Sequence, residues 1–302
     1  MNSIFKRKFI STKAFYKTKF KQGKLKDPNQ LPSSASDFYL IHRKALNIHY
    51  QNIYSAKEIF DSLPEDIKIN NDLLVSDFTK DDLLLAKPGS SILKKLNNNT
   101  ERSLALYLNK VVINNSLTTG IQETLTDAFV NYLFKKLNFD EYPLLMISQS
   151  DFNFKVFKKK ITAKVKFSIE KNNTILYINE NKYIHFLDGA SEYGESQISA
   201  EILACAFINF NKVDSPIFKK NQTIYATRII GTRFSFYKVF LSSDYYKSLY
   251  KGFPPNNLTV TIFRFPPNNH ETTLFGYDYA DKDQRRLILD LLYRLKEYLF
   301  KF

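Results

Sequence analysis

Between positions 196 and 211 the chain reads SQISAEILACAFINFN. Ile198, Ile202, Leu203, Ala206 and Phe207 lie on several sides of a helical wheel, and Ala204 and Cys205 extend the stripe that starts at Gln197 and Glu201. A helix that is apolar on nearly every side belongs in an interior. Gln197 and Glu201 break the pattern, and at i, i+4 they share one face. Once buried, they need partners, because an unpaired buried polar group is costly.

The segments around this helix set the fold class. Residues 119–137 have helical spacing, with Ile121, Leu125, Ala128, Phe129, Tyr132 and Leu133 on one face. Thr119 and Gln122 suit a capping box at its start. Strand-like runs follow at 144–147, 152–157, 161–169 and 174–178, with polar turns between them. After the apolar helix come two or three strands between 223 and 241 and a short helix near 242–252. A further strand at 258–264 is bracketed by Pro254-Pro255 and Pro266-Pro267, which cannot continue a ladder. The chain closes on a helix striped by Ile288, Leu291, Leu292, Leu295 and Leu299. The expected class is α+β or α/β, a mixed sheet flanked by helices.

Three regions are expected. Residues 1–36 form a basic flexible tail or targeting segment, 37–115 a helical lead-in, and 116–302 the main domain. Residues 1–26 hold nine Lys and Arg and no acid. A presequence, a nuclear-import or nucleic-acid arm, and a solvated tail all fit that composition. The compartment expected is intracellular, the nucleus ahead of a mitochondrion or the destination of a secreted effector.

The net charge of +14 favours polyanionic partners, nucleic acid first and an anionic surface second. A single cysteine excludes an intrachain disulfide framework and a multi-cysteine zinc site, and four histidines argue against a histidine-rich metal cluster. No apolar run approaches the ~20 residues that span a bilayer, so no transmembrane segment is expected. A kinase lacks its Gly-rich loop here, and His42-Arg43 is followed by Lys44 where a catalytic loop needs Asp. A serine hydrolase lacks the Gly-X-Ser-X-Gly elbow.

The stretch TILYINENK, 174–182, carries the chemistry. Strand alternation puts Leu176, Ile178, Glu180 and Lys182 on one face, so the acid and the amine emerge at a core's rim. A carboxylate there holds a hard divalent ion, and an amine beside it orients a bound water for attack on a phosphodiester. In a lysine-rich chain the same pattern also arises as an ordinary strand end. Glu123, in the first turns of the 119–137 helix, is a further candidate, and a flexible acidic loop is expected at 189–194.

This order of parts resembles the PD-(D/E)xK nuclease superfamily: a helix with an acid, strands, a strand ending Glu-X-Lys, then a helix with Gln. The blocks QETLTDAFVNYLFKKL, YINENKY, EYGESQISAEILACAFINF, QTIYATRIIGTRFSFYKVFLSS and LTVTIFRFPPNN resemble the nuclease-like C-terminal domains of Crinkler-type effectors and their fungal relatives, over roughly 119–270. The resemblance implies a restriction-endonuclease-like core and, in active members, cleavage of DNA or RNA that depends on Mg²⁺ or Mn²⁺. It implies catalytic roles for Glu180, Lys182 and Gln197 and a metal held by Glu180 and Glu123, with Glu201 as an added ligand. The strand before Glu-X-Lys departs from the family. Ala163-Lys164-Val165-Lys166-Phe167 has Lys166 where relatives carry a metal-binding Asp. At ~4 Å in a partly screened site, a cation there repels each unit of ion charge by on the order of 4 kcal/mol. Two functions follow: a metal-dependent nuclease, or a silent nuclease fold that binds nucleic acid or a protein partner. In the second, Lys166 pairs with Glu180 in place of the metal.

Overall fold

A computed structural model describes residues 25–60, 68–116, 122–182, 194–268 and 276–302. The strand patterns assemble into one mixed eight-stranded sheet. Its strands are β1 (Ile48–Asn52), β2 (Leu145–Val156), β3 (Lys159–Lys171), β4 (Thr174–Lys182), β5 (Gln222–Ile230), β6 (Arg233–Leu241), β7 (Val260–Phe265) and the short β8 (Tyr277–Asp278). The order is β1-β7-β6-β5-β4-β3-β2, with β8 added to β6. The pairs β1–β7 and β4–β5 are parallel and the others antiparallel.

Helices cover both faces. On one side lie α4 (Asn99–Ser116), α5 (Glu123–Lys136) and α8 (Lys282–Lys301). Leu104, Leu108, Phe129, Leu133, Phe134, Leu291 and Leu295 from these helices share a core with Phe167, Tyr177, Tyr225 and Ile229 of the sheet. On the other side lie α6 (Glu195–Asn211), α1 (Leu40–Ala45) and α7 (Ser243–Leu249). Short helical turns at α2 (Ala56–Ile59) and α3 (Lys80–Leu85) complete the lead-in.

The apolar helix is α6, and 15 of its 17 residues are buried. The sheet covers its inner side. Leu25, Leu31, Ala35, Phe38 and Leu46 join the same core and cover it elsewhere. The lead-in, read as helical from its sequence, thus also supplies β1 to the sheet and a roof to α6. Of the segment expected as a tail, residues 1–24 lie outside the described residues. Residues 25–36 contain two 3-10 turns and bury three apolar side chains.

Other boundaries shift for physical reasons. The 119–137 helix begins at Glu123, and its N-cap is Gln122, whose side chain makes no capping bond. Thr119 lies outside the described residues. Asn114 of α4 takes over, accepting from Gln122 N at 3.4 Å. The runs 144–147 and 152–157 merge into β2, which absorbs an irregularity at Gln149 (φ 53°). β7 ends where the second proline pair begins, as the sequence indicates. Among the described residues no helix is long and apolar enough to cross a membrane.

Candidate functional site

The site forms where β4 passes beyond its ladder with β3. Pairing with β3 reaches Phe167↔Asn179 and stops, so Lys166 and Glu180 stand just past its end. On the other edge, β4 pairs with β5 through Glu180↔Arg228 to Lys182↔Ile230. A register shift between Ile169 and Glu170 leaves Leu176 as an extra residue in β4. Strict alternation placed Leu176 with Ile178, Glu180 and Lys182, and the bulge corrects that. Leu176 and Tyr177 both enter the α5-side core, while Ile175 and Ile178 enter the α6-side core. Beyond the bulge the period of two resumes, and Glu180 meets α6 through Gln197.

Glu180, Lys182 and Gln197 come together in contact. Lys182 Nζ lies 2.8 Å from Glu180 Oε1. Gln197 Nε2 donates to the same Oε1 at 2.9 Å and to Glu201 Oε1 at 2.7 Å. One amide group thus bridges two carboxyls, which explains why a polar pair sits on an apolar helix. Glu180 is 2% exposed and Glu201 fully buried. Their Oε2 atoms have no hydrogen-bond partner among the described residues.

Burial raises the pKa of Glu180 to about 7, against the pull of the Lys182 charge and hydrogen bond. Burial, with the Glu180 charge next, raises the pKa of Glu201 well above the ordinary carboxylate value. Burial pulls the Lys182 amine down, but the charges of Glu180 and Glu123 outweigh it and hold the ammonium above the usual lysine range.

Lys166 does not reach Glu180, contrary to the sequence expectation. Its Nζ lies 2.5 Å from Glu123 Oε1 and 3.2 Å from Asp127 Oδ2, both on α5. Desolvation opposes its charge, but those two carboxylates prevail and raise its pKa. Asp127 Oδ1 also accepts from Asn181 Nδ2 at 2.9 Å. The ammonium thereby joins α5 to β3, and Asn181 joins α5 to β4. Glu123 does not join the Glu180 cluster by a direct bond; its charge acts on both Glu180 and Lys182. A cavity of about 190 Å³ beside Lys166 is lined by Asp127, Asn131, Ser148, Gln149 and Phe167 among others.

Asp127 and Asn181 were missed in the sequence. Asp127 stands at i+4 from Glu123, a spacing that marks a shared helix face, but nothing flagged Asn181 among so many asparagines. A second buried polar centre was also missed. Arg264 Nη1 pairs with Glu195, and Arg264 Nη2 donates to Asn52 Oδ1 at 2.6 Å. The expected loop at 189–194 lies outside the described residues apart from Gly194. Gly194 caps α6 at φ 87°, where a Cβ would come 3.7 Å from Arg228 Nη1.

The donors here do not fit a divalent ion as they stand. Such a site needs several ionised oxygens converging on one point. The Glu180 oxygen that takes part in bonding is occupied by an ammonium and an amide, Glu201 Oε1 accepts from the same Gln197 amide, and Glu123 and Asp127 share the Lys166 ammonium. Among the described residues, no three His, Cys, Asp or Glu side chains group as a metal site would require. Compared with known proteins, the chain matches no family model and no curated protein.

Proposed function

We propose that this protein binds nucleic acid on a framework of the PD-(D/E)xK kind, with ion pairs at the corner where such nucleases hold their metal. The observation that carries the reading is Lys166. Its ammonium lies between Glu123 and Asp127 while Lys182 neutralises Glu180. A lysine neutralises carboxylates as a metal ion would, but it supplies neither a Lewis acid nor an activated water. The order of parts, α5 with its acid, β3, β4 ending Glu-X-Lys, then α6 with Gln197, supports the framework. The charge of +14 supports the partner, and nine of the basic residues in 1–26 add phosphate contacts.

The test is one set of assays. Wild type, Glu180→Ala, Lys166→Asp, and Lys166→Asp with Glu180→Ala are titrated with Mg²⁺ and Mn²⁺ and incubated with labelled DNA and RNA. Wild type is expected to bind both polymers in a salt-sensitive way, take up metal poorly and cleave neither. Lys166→Asp, if it stays folded, is expected to gain metal affinity. Cleavage by wild type that disappears in Glu180→Ala would overturn the reading. The Oε2 atoms of Glu180 and Glu201, without partners among the described residues, favour the second reading, a metal-dependent nuclease, and the same cleavage assay decides between them.

A further inference from the structure

The hairpin of β2 and β3 packs one face into the α6-side core. Between positions 151 and 164 it carries five lysines and one acid, Asp151. One face is buried through Phe152, Phe154, Val156, Ile161, Ala163 and Val165. The opposite face is wet. On β3 it runs Lys160, Thr162, Lys164 and then Lys166, at every second residue. On β2 it carries Asp151, Asn153 and Lys155; Lys155 lies directly opposite Lys160, and Asp151 opposite Lys164. Like charges facing each other across a ladder destabilise a sheet. A row of amines kept there suits a polyanion laid along it.

The tip adds a second kind of contact. The two-residue turn is Phe157-Lys158, and Phe157 has φ 53°, a conformation that costs a bulky residue energy. Its N–H donates to Leu249 O at 2.6 Å, which holds the tip against the end of α7. The ring remains 47% exposed, and Lys158 Nζ lies 5.4 Å from its centre. A fixed, wet aromatic beside amines is what single-strand binders use to stack a base while phosphates meet cations. From the tip, the amine row leads to Lys166 and the cavity lined in part by Asn131, Ser148 and Gln149. An anionic membrane would also meet lysines, but this face offers one exposed ring and otherwise hydroxyls, amides, amines and the Asp151 carboxylate.

We infer that the β2–β3 ribbon is a binding surface for unpaired nucleic acid: Lys155, Lys160 and Lys164 contact phosphates, and Phe157 stacks on a base. This deepens the nucleic-acid reading above and rests on it. The experiment measures anisotropy of labelled oligo-dT, oligo-U and a DNA duplex across a salt series. It uses the full chain as wild type, as Lys155→Ala/Lys160→Ala/Lys164→Ala, and as Phe157→Gly. Co-sedimentation with phosphatidylserine vesicles is the fourth arm. Each phosphate contact on a single strand contributes about 0.7 to the salt slope, so the triple variant should flatten it by roughly 2. Phe157→Gly, which suits the positive φ and should fold at least as well, should lose roughly 5- to 100-fold in single-strand affinity at an unchanged slope.

If wild type binds single strands and both variants bind as it does, the ribbon assignment is overturned while the general function stands. No binding by wild type to any oligonucleotide overturns both. Vesicle binding that needs the ribbon, without oligonucleotide binding, overturns both in favour of a membrane surface. Duplex binding equal to single-strand binding, with Phe157→Gly silent, overturns the assignment to unpaired strands.

Discussion

At the scale of single residues, the corner is a problem in charge. Glu180 ionises in the unfolded chain near the ordinary carboxylate value of 4.5 and in the fold at about 7. A raised acid pKa stabilises the fold fully below 4.5, and that contribution is lost as pH rises through 7. Over that window it amounts to on the order of 2–3 kcal/mol for this one group. His42 works the other way, because burial lowers its pKa to about 4 and its stabilising effect grows as pH rises. The comparison must therefore be between variants. Urea unfolding at pH 5.5 and pH 8 should show wild type losing more stability on alkalinisation than Glu180→Gln. Equal losses would mean that Glu180 is not held as described. In the opposite sense, Lys182→Met strands Glu180 without its ammonium. It should cost about 3–5 kcal/mol at pH 8 and much less at pH 5, where the carboxyl is already neutral.

Among the elements, the joint between α6 and β4 decides where the site points. Asn209 Nδ2 donates to Ile175 O at 2.7 Å, and its Oδ1 accepts from Ile175 N at 2.9 Å. The side-chain amide thus acts as a missing strand neighbour just ahead of the bulge, because the β5 ladder starts only at Tyr177↔Tyr225. Asn209→Leu should cost roughly 2–4 kcal/mol by urea titration, since two buried backbone groups lose their partners. A loss below 1 kcal/mol would show that water replaces the amide. Little of this joint was legible in the sequence. The apolar faces of α6 and α8 were, because their spacing repeats over many residues. Glu180, Lys182 and Gln197 were, because a polar residue in an apolar run stands out. The bulge was not, because nothing in TILYINENK marks Leu176 as the extra residue; the shift arises from pairing with β3. The partner of Lys166 was not either, since choosing α5 over Glu180 needs positions in space.

For the whole molecule, the main consequence is integration. The segment expected as tail and lead-in roofs α6 and adds an edge strand, so it should unfold with the rest. Phe38 is fully buried, with its ring 6.3 Å from that of Phe154. Phe38→Ala should lower global stability by about 3–5 kcal/mol and leave a single transition seen alike by far-ultraviolet circular dichroism and by tyrosine fluorescence. Two separated transitions would mean that residues 25–46 dock as an independent unit. The hydrophobic pattern gave no hint of this union, because a short strand such as β1 carries too few residues to show a period.

The ion pair at Lys166 also has a genetic reading. Lysine and glutamate codons differ at one base, so a single point mutation replaces the ammonium between Glu123 and Asp127 with a third carboxylate. Such a change would set three carboxylates against one another near Glu180, a repulsion relieved by taking up a proton or a cation. The corner therefore stands one base change from a cluster of carboxylates with no ammonium among Glu123, Asp127 and position 166.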